Sequence, residues 1–434
     1  MLSLERPIDR FLSITAVIIM VIILMAIIQR RELDRVLNVR WLLLYGRRKT
    51  GKTFYVREKS QYSRYFVVTR GRSLVDIESG EELTISEFTR LLPYLIQSGR
   101  VVVDEFHRLD EPFFSLLQGL SGRGELTLIT STRHYFRRFI GENSPLLGLF
   151  HLQEVGLVDP RDAVAYVAGL GIKGKTLMEL ACLVQEPWLA QTVETMKEKT
   201  FEVLGAILRD YVPGLTGEIF TEEDKELSQR YFAILEAVAG GKRTSGEIAS
   251  ELFSRGLTEK DSPGAVSQYL QILVEMGLLE KVLLYGKRRK TYHYRHVSPV
   301  VDFAFYLNSK YGFFETGLPE KSISQHLQEK MPLYMETFFE RFLARLYGLQ
   351  PVKIALPELE VDIALRKHKR LALVGEVKWK TRLTKKELRS VEDKLTSLDA
   401  ERRLLIVPEG SLLPREPEDI DVLDWKNFVE LSKT

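Results

Sequence analysis

Gly46-Arg47-Arg48-Lys49-Thr50-Gly51-Lys52-Thr53 fits the pattern G-x-x-x-x-G-K-[ST] and decides the fold of the first part of this chain. It follows the apolar run 41–45 and precedes a helix-compatible segment, which is the context that the motif requires. In such a loop the backbone N–H groups surround phosphates at a helix N-terminus. Lys52 then reaches the β- and γ-phosphates, and the Thr53 hydroxyl is a Mg²⁺ ligand. We therefore predict a site for ATP with Mg²⁺.

A second strand carries the partner carboxylates. Arg100-Val101-Val102-Val103-Asp104-Glu105 is a hydrophobic run that ends in two acidic residues. Asp104 is predicted to hold the Mg²⁺ shell, and Glu105 is predicted to polarise the attacking water. Together with the phosphate loop, this pair predicts ATP hydrolysis as well as ATP binding.

A third strand, 126–130, ends in the polar residues Ser131 and Thr132. Ligands of open α/β sheets collect at the carboxyl ends of strands, so Ser131 is a candidate contact to the γ-phosphate or the attacking water. The alternative is that these hydroxyls only cap the strand. Four nearby arginines are candidates for a finger onto the nucleotide of a neighbouring subunit in a homo-oligomer, although a surface or acid-paired role is simpler for each: Arg123, Arg133, Arg137 and Arg138.

Overall composition excludes several classes of protein. A formal net charge of +3 over 434 residues is close to balance, so a basic nucleic-acid surface would have to be local. Cys182 is the only cysteine, which excludes an internal disulfide and a multi-cysteine zinc site. Its apolar neighbours favour a buried thiol.

The N-terminal region contains an apolar run from Phe11 to Ile28, interrupted only by Ser13 and Thr15. A helix of about 18 residues is roughly 27 Å long and reaches across a bilayer core. The arginines that follow place the C-terminal side in the cytoplasm: Arg30, Arg31, Arg35 and Arg40. We predict a single-pass anchor in the cell membrane with the catalytic domains in the cytoplasm. A cleaved signal peptide and a buried core helix are the alternatives.

Residues 227–316 show three helical segments followed by a short hairpin, the order of a winged helix-turn-helix, with the third helix at roughly 265–276. The hairpin is rich in side chains that suit phosphate contacts, and DNA is the predicted partner. These side chains are Lys281, Lys287, Arg288, Arg289, Lys290 and Arg295, with the aromatic residues Tyr285, Tyr292 and Tyr294. A structural or protein-binding role for this module is the alternative.

A second candidate active site lies near the C-terminus. Asp362 interrupts an apolar strand, and Glu376 and Lys378 lie two residues apart on another, so their side chains point to one face. Asp362 and Glu376 are predicted to share a divalent cation, while Lys378 stabilises a phosphate or positions the water. The alternative is an ion-paired strand in a domain without catalysis.

This arrangement resembles the PD-(D/E)XK nuclease superfamily. The resemblance implies Mg²⁺ or Mn²⁺ at Asp362 and Glu376, and it assigns Glu340 of Phe338-Phe339-Glu340-Arg341 as the acid of the first helix. Asp362 is preceded by Glu360-Val361 and not by proline, which is a departure from the pattern.

The chain from Trp41 onward also resembles the archaeal P-loop ATPase family related to AAA and STAND proteins, through its Gly-Arg-Arg-x-x-Gly-Lys-Thr loop and the later Asp-Glu strand. The resemblance implies an ASCE-class ATPase that carries a winged helix and a nuclease-like domain. The predicted fold is therefore multidomain α/β. Its segments are 1–40 (anchor and spacer), 41–155 (P-loop ATPase core), 156–226 (helical lid), 227–316 (winged helix) and 327–434 (nuclease-like domain).

Two functional hypotheses follow. One is an ATP-driven enzyme that binds DNA and cuts it. The other is a membrane-tethered signalling or chaperone-like switch, in which the nuclease-like domain is catalytically silent.

Overall fold

The computed structural model describes residues 27–133, 146, 148–223, 225–287, 289–354 and 360–434. The predicted finger residues Arg137 and Arg138 and the wing residue Arg288 lie outside these ranges. Within them, the strands form two seven-stranded sheets. The division of the chain at the domain boundaries given above stays a prediction.

The first sheet has the order β4-β3-β2-β5-β6-β1-β7. Its strands are β1 (Trp41–Tyr45), β2 (Arg64–Val68), β3 (Ser73–Asp76), β4 (Glu82–Thr84), β5 (Arg100–Asp104), β6 (Glu125–Thr130) and β7 (His151–Glu154). The pairs among β2, β5, β6, β1 and β7 are parallel, and β3 and β4 add an antiparallel edge. The central strands are apolar throughout because both faces of a parallel sheet are covered.

Helices cover both faces of this sheet. They are α1 (Arg31–Asp34), α2 (Lys52–Lys59), α3 (Ile85–Ser98) and α4 (Glu111–Leu120). Phe88 and Phe113, on α3 and α4, pack with strand residues on one face, and Tyr55 and Val56 of α2 pack on the other. This α/β arrangement is a P-loop ATPase-like fold. The predicted parallel sheet covered by helices is confirmed.

The next segment is helical: α5 (Pro160–Gly169), α6 (Gly174–Val184), α7 (Ala190–Met196) and α8 (Thr200–Glu222). Helix α8 continues through Pro213 and Gly214. Buried residues on both sides of the proline, Val212 and Leu215 among them, hold the helix in place. Packing of the apolar face therefore outweighs the hydrogen bond that proline removes.

The remaining helices are α9 (Gln229–Ala239), α10 (Ser245–Ser254), α11 (Gly264–Glu275), α12 (Pro299–Tyr311), α13 (Phe313–Thr316), α14 (Glu320–Tyr347), α15 (Lys385–Thr396) and α16 (Trp425–Ser432). Thr244 caps α10 and Thr384 caps α15, each in a capping box with the glutamate three residues later. Long α14 packs on α8 and on the second sheet.

The second sheet has the order β14-β13-β12-β11-β10-β8-β9. Its strands are β8 (Leu279–Tyr285), β9 (Tyr292–His296), β10 (Gln350–Ile354), β11 (Ile363–Lys367), β12 (Arg370–Val377), β13 (Ala400–Ile406) and β14 (Asp421–Leu423). The β8–β9 hairpin is the predicted wing. It is not a free element, because β8 pairs in parallel with β10 and so joins the wing to the C-terminal sheet.

The predicted location in the cell membrane is wrong. Among the described residues, the search for a helix long and apolar enough to cross a bilayer finds none. Most of the predicted span, residues 11–26, lies outside those residues, and Ile28 at its end is buried in the protein core. Arg30, one of the arginines used to orient the predicted anchor, is also buried, and its guanidinium donates to the backbone O of Thr50 at 2.7 Å. Arg31 pairs with Asp162 at 2.6 Å, so these arginines serve the fold.

Candidate functional site

The phosphate loop connects β1 to α2 and needs glycine at both ends. Gly51 caps α2 with a φ of 85°, in the left-handed region. Gly46 has a φ of 149°, and a Cβ there would lie 2.2 Å from the backbone O of Val155. Lys49, inside the loop, is exposed with a φ of 64°. The sequence therefore closes the loop tightly against β7 and begins a helix at its end.

Lys52 fills the centre of the loop. Its Nζ donates to the backbone O of Gly46 and to that of Arg47, both at 2.9 Å, and lies 3.4 Å from Thr50 Oγ1. Burial lowers the pKa of Lys52 to about 8, although the carboxylates of Glu105 and Asp104 act to raise it. An ammonium that is desolvated in this way gains most from an anion, so a phosphate fits this position.

Thr53 and Asp104 form the second part of the site. Thr53 Oγ1 donates to Asp104 Oδ2 at 2.6 Å, and the Tyr65 hydroxyl donates to the same oxygen at 2.8 Å. Burial and the neighbouring Glu105 raise the pKa of the Asp104 carboxyl. A hydroxyl and a carboxylate at this spacing are the oxygen ligands that Mg²⁺ takes beside nucleotide phosphates. The predicted Mg²⁺ ligands are thus adjacent.

Glu105 is held in position by the neighbouring strand. Ser131 Oγ donates to Glu105 Oε1 at 2.8 Å, and the Ser131 N–H donates to Oε2 at 3.3 Å. Glu105 has a φ of 57°, a left-handed conformation that costs a non-glycine residue roughly 1 kcal/mol or more. Ser131, predicted to face the γ-phosphate, therefore orients the carboxylate of Glu105 in this structure.

The two loop arginines attach the phosphate loop to the helical segment. Arg47 Nη2 donates to both carboxylate oxygens of Glu186 at 2.7 Å, with both side chains buried. Arg48 pairs with Glu218 at 2.7 Å and with Glu222 at 3.0 Å, both on α8. Sequence reasoning missed these acids, because they lie 139 to 174 positions from the arginines and no local pattern connects them.

Basic side chains surround the carboxylate of Glu222. Besides Arg48, it accepts hydrogen bonds from Arg108 Nη2 at 3.0 and 3.1 Å, and His107 Nε2 lies 3.3 Å away. Although burial acts to raise it, hydrogen bonding from His107 and the charge of Arg108 hold the pKa of Glu222 at about 2. Since His107 and Arg108 lie two and three residues after Glu105, the end of α8 is held at the carboxyl end of β5.

The structure describes two of the four arginines that were predicted as fingers onto a neighbouring subunit, Arg123 and Arg133. Arg133 Nε pairs with Glu154 at 2.6 Å, and its Nη1 donates to the backbone O of Val274 at 2.6 Å. Arg133 therefore connects the strand β6 to the C-terminus of α11, and its role as a finger onto a neighbouring subunit is not supported. Arg123 is exposed.

The second candidate site lies where β11 begins and β12 ends. Ile363 pairs with Gly375, which places Asp362 and Glu376 on adjacent strands at the same level. Asp362 Oδ2 accepts a hydrogen bond from the Val377 N–H at 2.8 Å. Glu376 is buried, and its oxygens pair with Lys378 and Lys394, each at 2.6 Å. Lys394, on α15, was missed because a lysine in a charged helix gives no distinguishing signal.

The predicted helix acid is the wrong glutamate. Glu340 is fully buried, and both of its oxygens accept from Arg295, at 2.7 and 3.1 Å. This pair also removes Arg295 from the predicted phosphate contacts of the wing. Glu336, one turn earlier on α14, is the glutamate beside Asp362. Burial and the charge of Asp362 raise the pKa of Glu336 to about 7.

The charges of Asp362 and Glu376 both act on Glu336, so the three carboxylates lie within electrostatic reach of one another. Burial and the charge of Glu376 raise the pKa of Asp362, as burial and Asp362 do for Glu336. Like charges held together in a partly buried site favour a bound divalent cation, which stabilises the ionised forms. An all-oxygen donor set with adjacent lysines suits Mg²⁺ or Mn²⁺. The sequence offers Glu336 as an alternative helix acid, since it lies four positions before Glu340 on the same helix.

In the sheet order, β6 lies between β1, which leads into the phosphate loop, and β5, which ends in Asp104. This sheet order and the loop geometry define a P-loop ATPase-like fold. No family model and no curated protein matches the chain. Similar solved structures include the Aeropyrum pernix ORC1 protein in complex with DNA, at 16% identity and a TM-score of 0.30, covering 66% of this chain and 94% of that one.

The Thermotoga maritima RuvB Holliday junction branch migration motor has 15% identity and a TM-score of 0.30, covering 61% of this chain and 92% of that one. The Aeropyrum pernix ORC2 protein, with ADPNP and ADP, has 15% identity and a TM-score of 0.21, with 64% and 92% covered. The site assignment rests on the geometry of this chain.

Proposed function

We propose that this protein is a Mg²⁺-dependent ATPase whose ATP cycle acts on DNA. The contact between Thr53 and Asp104 at 2.6 Å, beside the buried ammonium of Lys52, carries the ATPase part of this proposal. The exposed basic turn between β8 and β9 supports DNA as the partner. It places a hydroxyl, a carboxylate and a cation together at the N-terminus of a helix, where a nucleotide triphosphate and its metal are bound.

Each residue then has a distinct part. Lys52 neutralises the β- and γ-phosphates, and Thr53 and Asp104 hold the Mg²⁺. Glu105 orients the attacking water and accepts its proton, and Ser131 keeps the Glu105 carboxylate in place. Mg²⁺ held by Thr53 and Asp104 would supply charge stabilisation to the phosphate oxygens.

ATP hydrolysis by the full chain tests this proposal, with two variants that separate binding from chemistry. Glu105→Gln keeps the shape of the side chain and removes its basicity, so it should bind ATP normally and hydrolyse it at least about 100-fold more slowly. Lys52→Ala should lose ATP binding. Wild-type hydrolysis rates in Glu105→Gln would overturn the assignment of Glu105, and unchanged ATP affinity in Lys52→Ala would overturn the site.

A second activity is supported by a separate observation. Asp362 and Glu376 lie on adjacent strands, Lys378 pairs with Glu376, and the charge of Asp362 acts on Glu336. We propose that these residues cleave phosphodiester bonds in DNA with Mg²⁺ or Mn²⁺. Asp362 and Glu376 would hold the metal, Glu336 would complete its shell or bind a metal-bound water, and Lys378 would stabilise the phosphate. Glu376 keeps two lysines within 2.6 Å, so the site can balance charge before substrate arrives.

Nicking of supercoiled plasmid by the full chain, with Mg²⁺ or Mn²⁺ and with or without ATP, tests this second proposal. Asp362→Asn and Glu336→Gln should lose cleavage while ATP hydrolysis stays. Lys52→Ala should lose ATP binding, so nicking by this variant shows whether cleavage depends on ATP. Absence of nicking by the wild-type chain under all of these conditions, with ATP hydrolysis intact, would leave the ATPase proposal standing and remove the nuclease.

A further inference from the structure

Two exposed turns carry a concentration of positive charge that the sites above do not use. The turn between β8 and β9 contains Lys287, Arg289 and Lys290, and the turn between β11 and β12 contains Lys369 and is flanked by Lys367 and Arg370 at the strand ends. We call these six side chains the two-turn surface. All six are exposed.

A hydrogen bond brings the two turns together although they are far apart in sequence. Tyr285 Oη, at the end of β8, donates to the backbone O of Lys369 at 3.1 Å, across 84 positions. Leu283 and Tyr285 also pack on the same hydrophobic cluster as Leu371, at the start of β12. The wing and the C-terminal sheet therefore present one joint surface.

The charge of this surface is not compensated locally. Neither Tyr285–Thr291 nor Arg366–Arg370 contains an aspartate or glutamate. Within the described residues, the ion pairs formed by basic side chains include none from the six residues of the two-turn surface. Other basic residues of the chain, such as Arg48 and Arg108, are paired with acids. Like charges kept close without acidic partners favour a polyanionic ligand.

The composition of the surface favours duplex DNA among polyanions. Single strands are bound by stacking bases on aromatic rings, but none of the six side chains is aromatic. The rings next to the wing turn, Tyr285 and Tyr292, are half-buried, and Lys281 Nζ lies 5.1 Å from the ring centroid of Tyr292. A lipid surface is engaged by basic residues together with exposed apolar ones. The large hydrophobic residues that the described chain exposes lie elsewhere, Phe253 and Tyr311 among them.

The surface also lies at a useful distance from the carboxylate cluster. Strand β12 runs from Arg370 to Val377, so Arg370 and Glu376 are separated by about 20 Å at roughly 3.3 Å per residue. A DNA strand advances about 3.4 Å per nucleotide, so roughly six nucleotides cover that distance.

We propose that the two-turn surface binds the backbone of duplex DNA without regard to sequence and holds it one strand length from the carboxylates. The binding stands by itself, while its use for presenting DNA to Glu336, Asp362 and Glu376 rests on the proposed cleavage function.

The test is binding of a labelled 30-base-pair duplex to the full chain, measured by fluorescence anisotropy in EDTA at several salt concentrations. One variant removes the wing charges (Lys287→Gln, Arg289→Gln, Lys290→Gln), and a second removes those of the other turn (Lys367→Gln, Lys369→Gln, Arg370→Gln). Each should weaken binding about tenfold or more and reduce the slope of log K against log salt by about 2 to 3. The control variant removes three exposed lysines elsewhere: Lys59→Gln, Lys197→Gln and Lys199→Gln.

Wild-type affinity in the Lys367–Arg370 variant would overturn the proposal, and so would an equal loss in the control. Loss of binding to vesicles containing phosphatidylserine, with DNA binding unchanged, would show that a lipid surface is the partner. The melting temperature of each variant shows that it is folded. Glu376→Gln separates the two proposals, because it should lose cleavage and keep DNA affinity; a wild-type chain that binds DNA through these turns but never cuts it would refute the nuclease alone.

Discussion

Removing Glu186 tests how the phosphate loop is held. Glu186 accepts both hydrogen bonds from Arg47 at 2.7 Å, and both side chains are almost fully buried. Glu186→Ala leaves the Arg47 guanidinium buried without its counter-ion, which costs about 3–5 kcal/mol. Because Arg47 belongs to the phosphate loop, we expect weaker ATP binding as well as lower stability.

Urea unfolding followed by tryptophan fluorescence measures the effect. Trp188 is a local reporter, since its Nε1 donates to Glu186 Oε2 at 3.0 Å and its ring lies 4.2 Å from that of Tyr211. With an m-value of about 2 kcal/mol per molar urea, a loss of about 4 kcal/mol moves the transition by roughly 2 M. ATP affinity is measured on the same samples.

Two further variants make the reasoning refutable. Arg47→Ala with Glu186→Ala removes both charges, so it should be less destabilised than Glu186→Ala alone. Glu218→Ala is the matched control, because its pair with Arg48 is partly exposed and should contribute about 1 kcal/mol or less. If Glu186→Ala moves the transition no further than Glu218→Ala, or if the double variant is the least stable, the buried pair does not hold the loop.

Three other predictions concern the two sites. Gly46→Ala should abolish ATP binding, because its Cβ would meet the backbone O of Val155 at 2.2 Å, whereas Gly119→Ala meets nothing within 4 Å and should bind ATP normally in the same titration. Glu340→Gln should lower the melting temperature through its pair with Arg295, while Glu336→Gln should not lower it at pH 7 and should remove plasmid nicking; the opposite pattern would restore Glu340 to the site. Because burial and Asp362 raise the pKa of Glu336 to about 7, Glu336 keeps its proton in the folded state while the unfolded chain ionises. Its contribution to stability should therefore fall between pH 4.5 and 7 in thermal melts, and Mg²⁺ or Mn²⁺ should reverse that fall. If adding either metal ion at pH 7 leaves the melting temperature unchanged, no cation binds there.

The sequence by itself determined the elements whose information is local. The phosphate loop lies between an apolar strand and a helix, and its two glycines and Lys52 are fixed by chemistry that needs no distant partner. The same is true of the run that ends in Asp104 and Glu105. The alternation of Glu376 and Lys378 also placed both side chains on one face, as their contact at 2.6 Å shows.

Tertiary structure decided everything that depends on residues far apart in sequence. Glu336 and Glu340 lie one turn apart on α14, and only the packing of that helix turns one toward Asp362 and the other toward Arg295. Ile28, the last residue of the predicted bilayer span, is buried in the protein core. Hydropathy alone does not distinguish a side chain buried in lipid from one buried in protein.

The partners of the phosphate loop follow the same rule. Arg47 pairs with Glu186 only because the helical segment packs against the phosphate loop, and Tyr285 contacts Lys369 only because β8 joins the C-terminal sheet. Long-range pairs leave no local pattern in a sequence, because their energy comes from burial and charge neutralisation that exist only once the chain is folded.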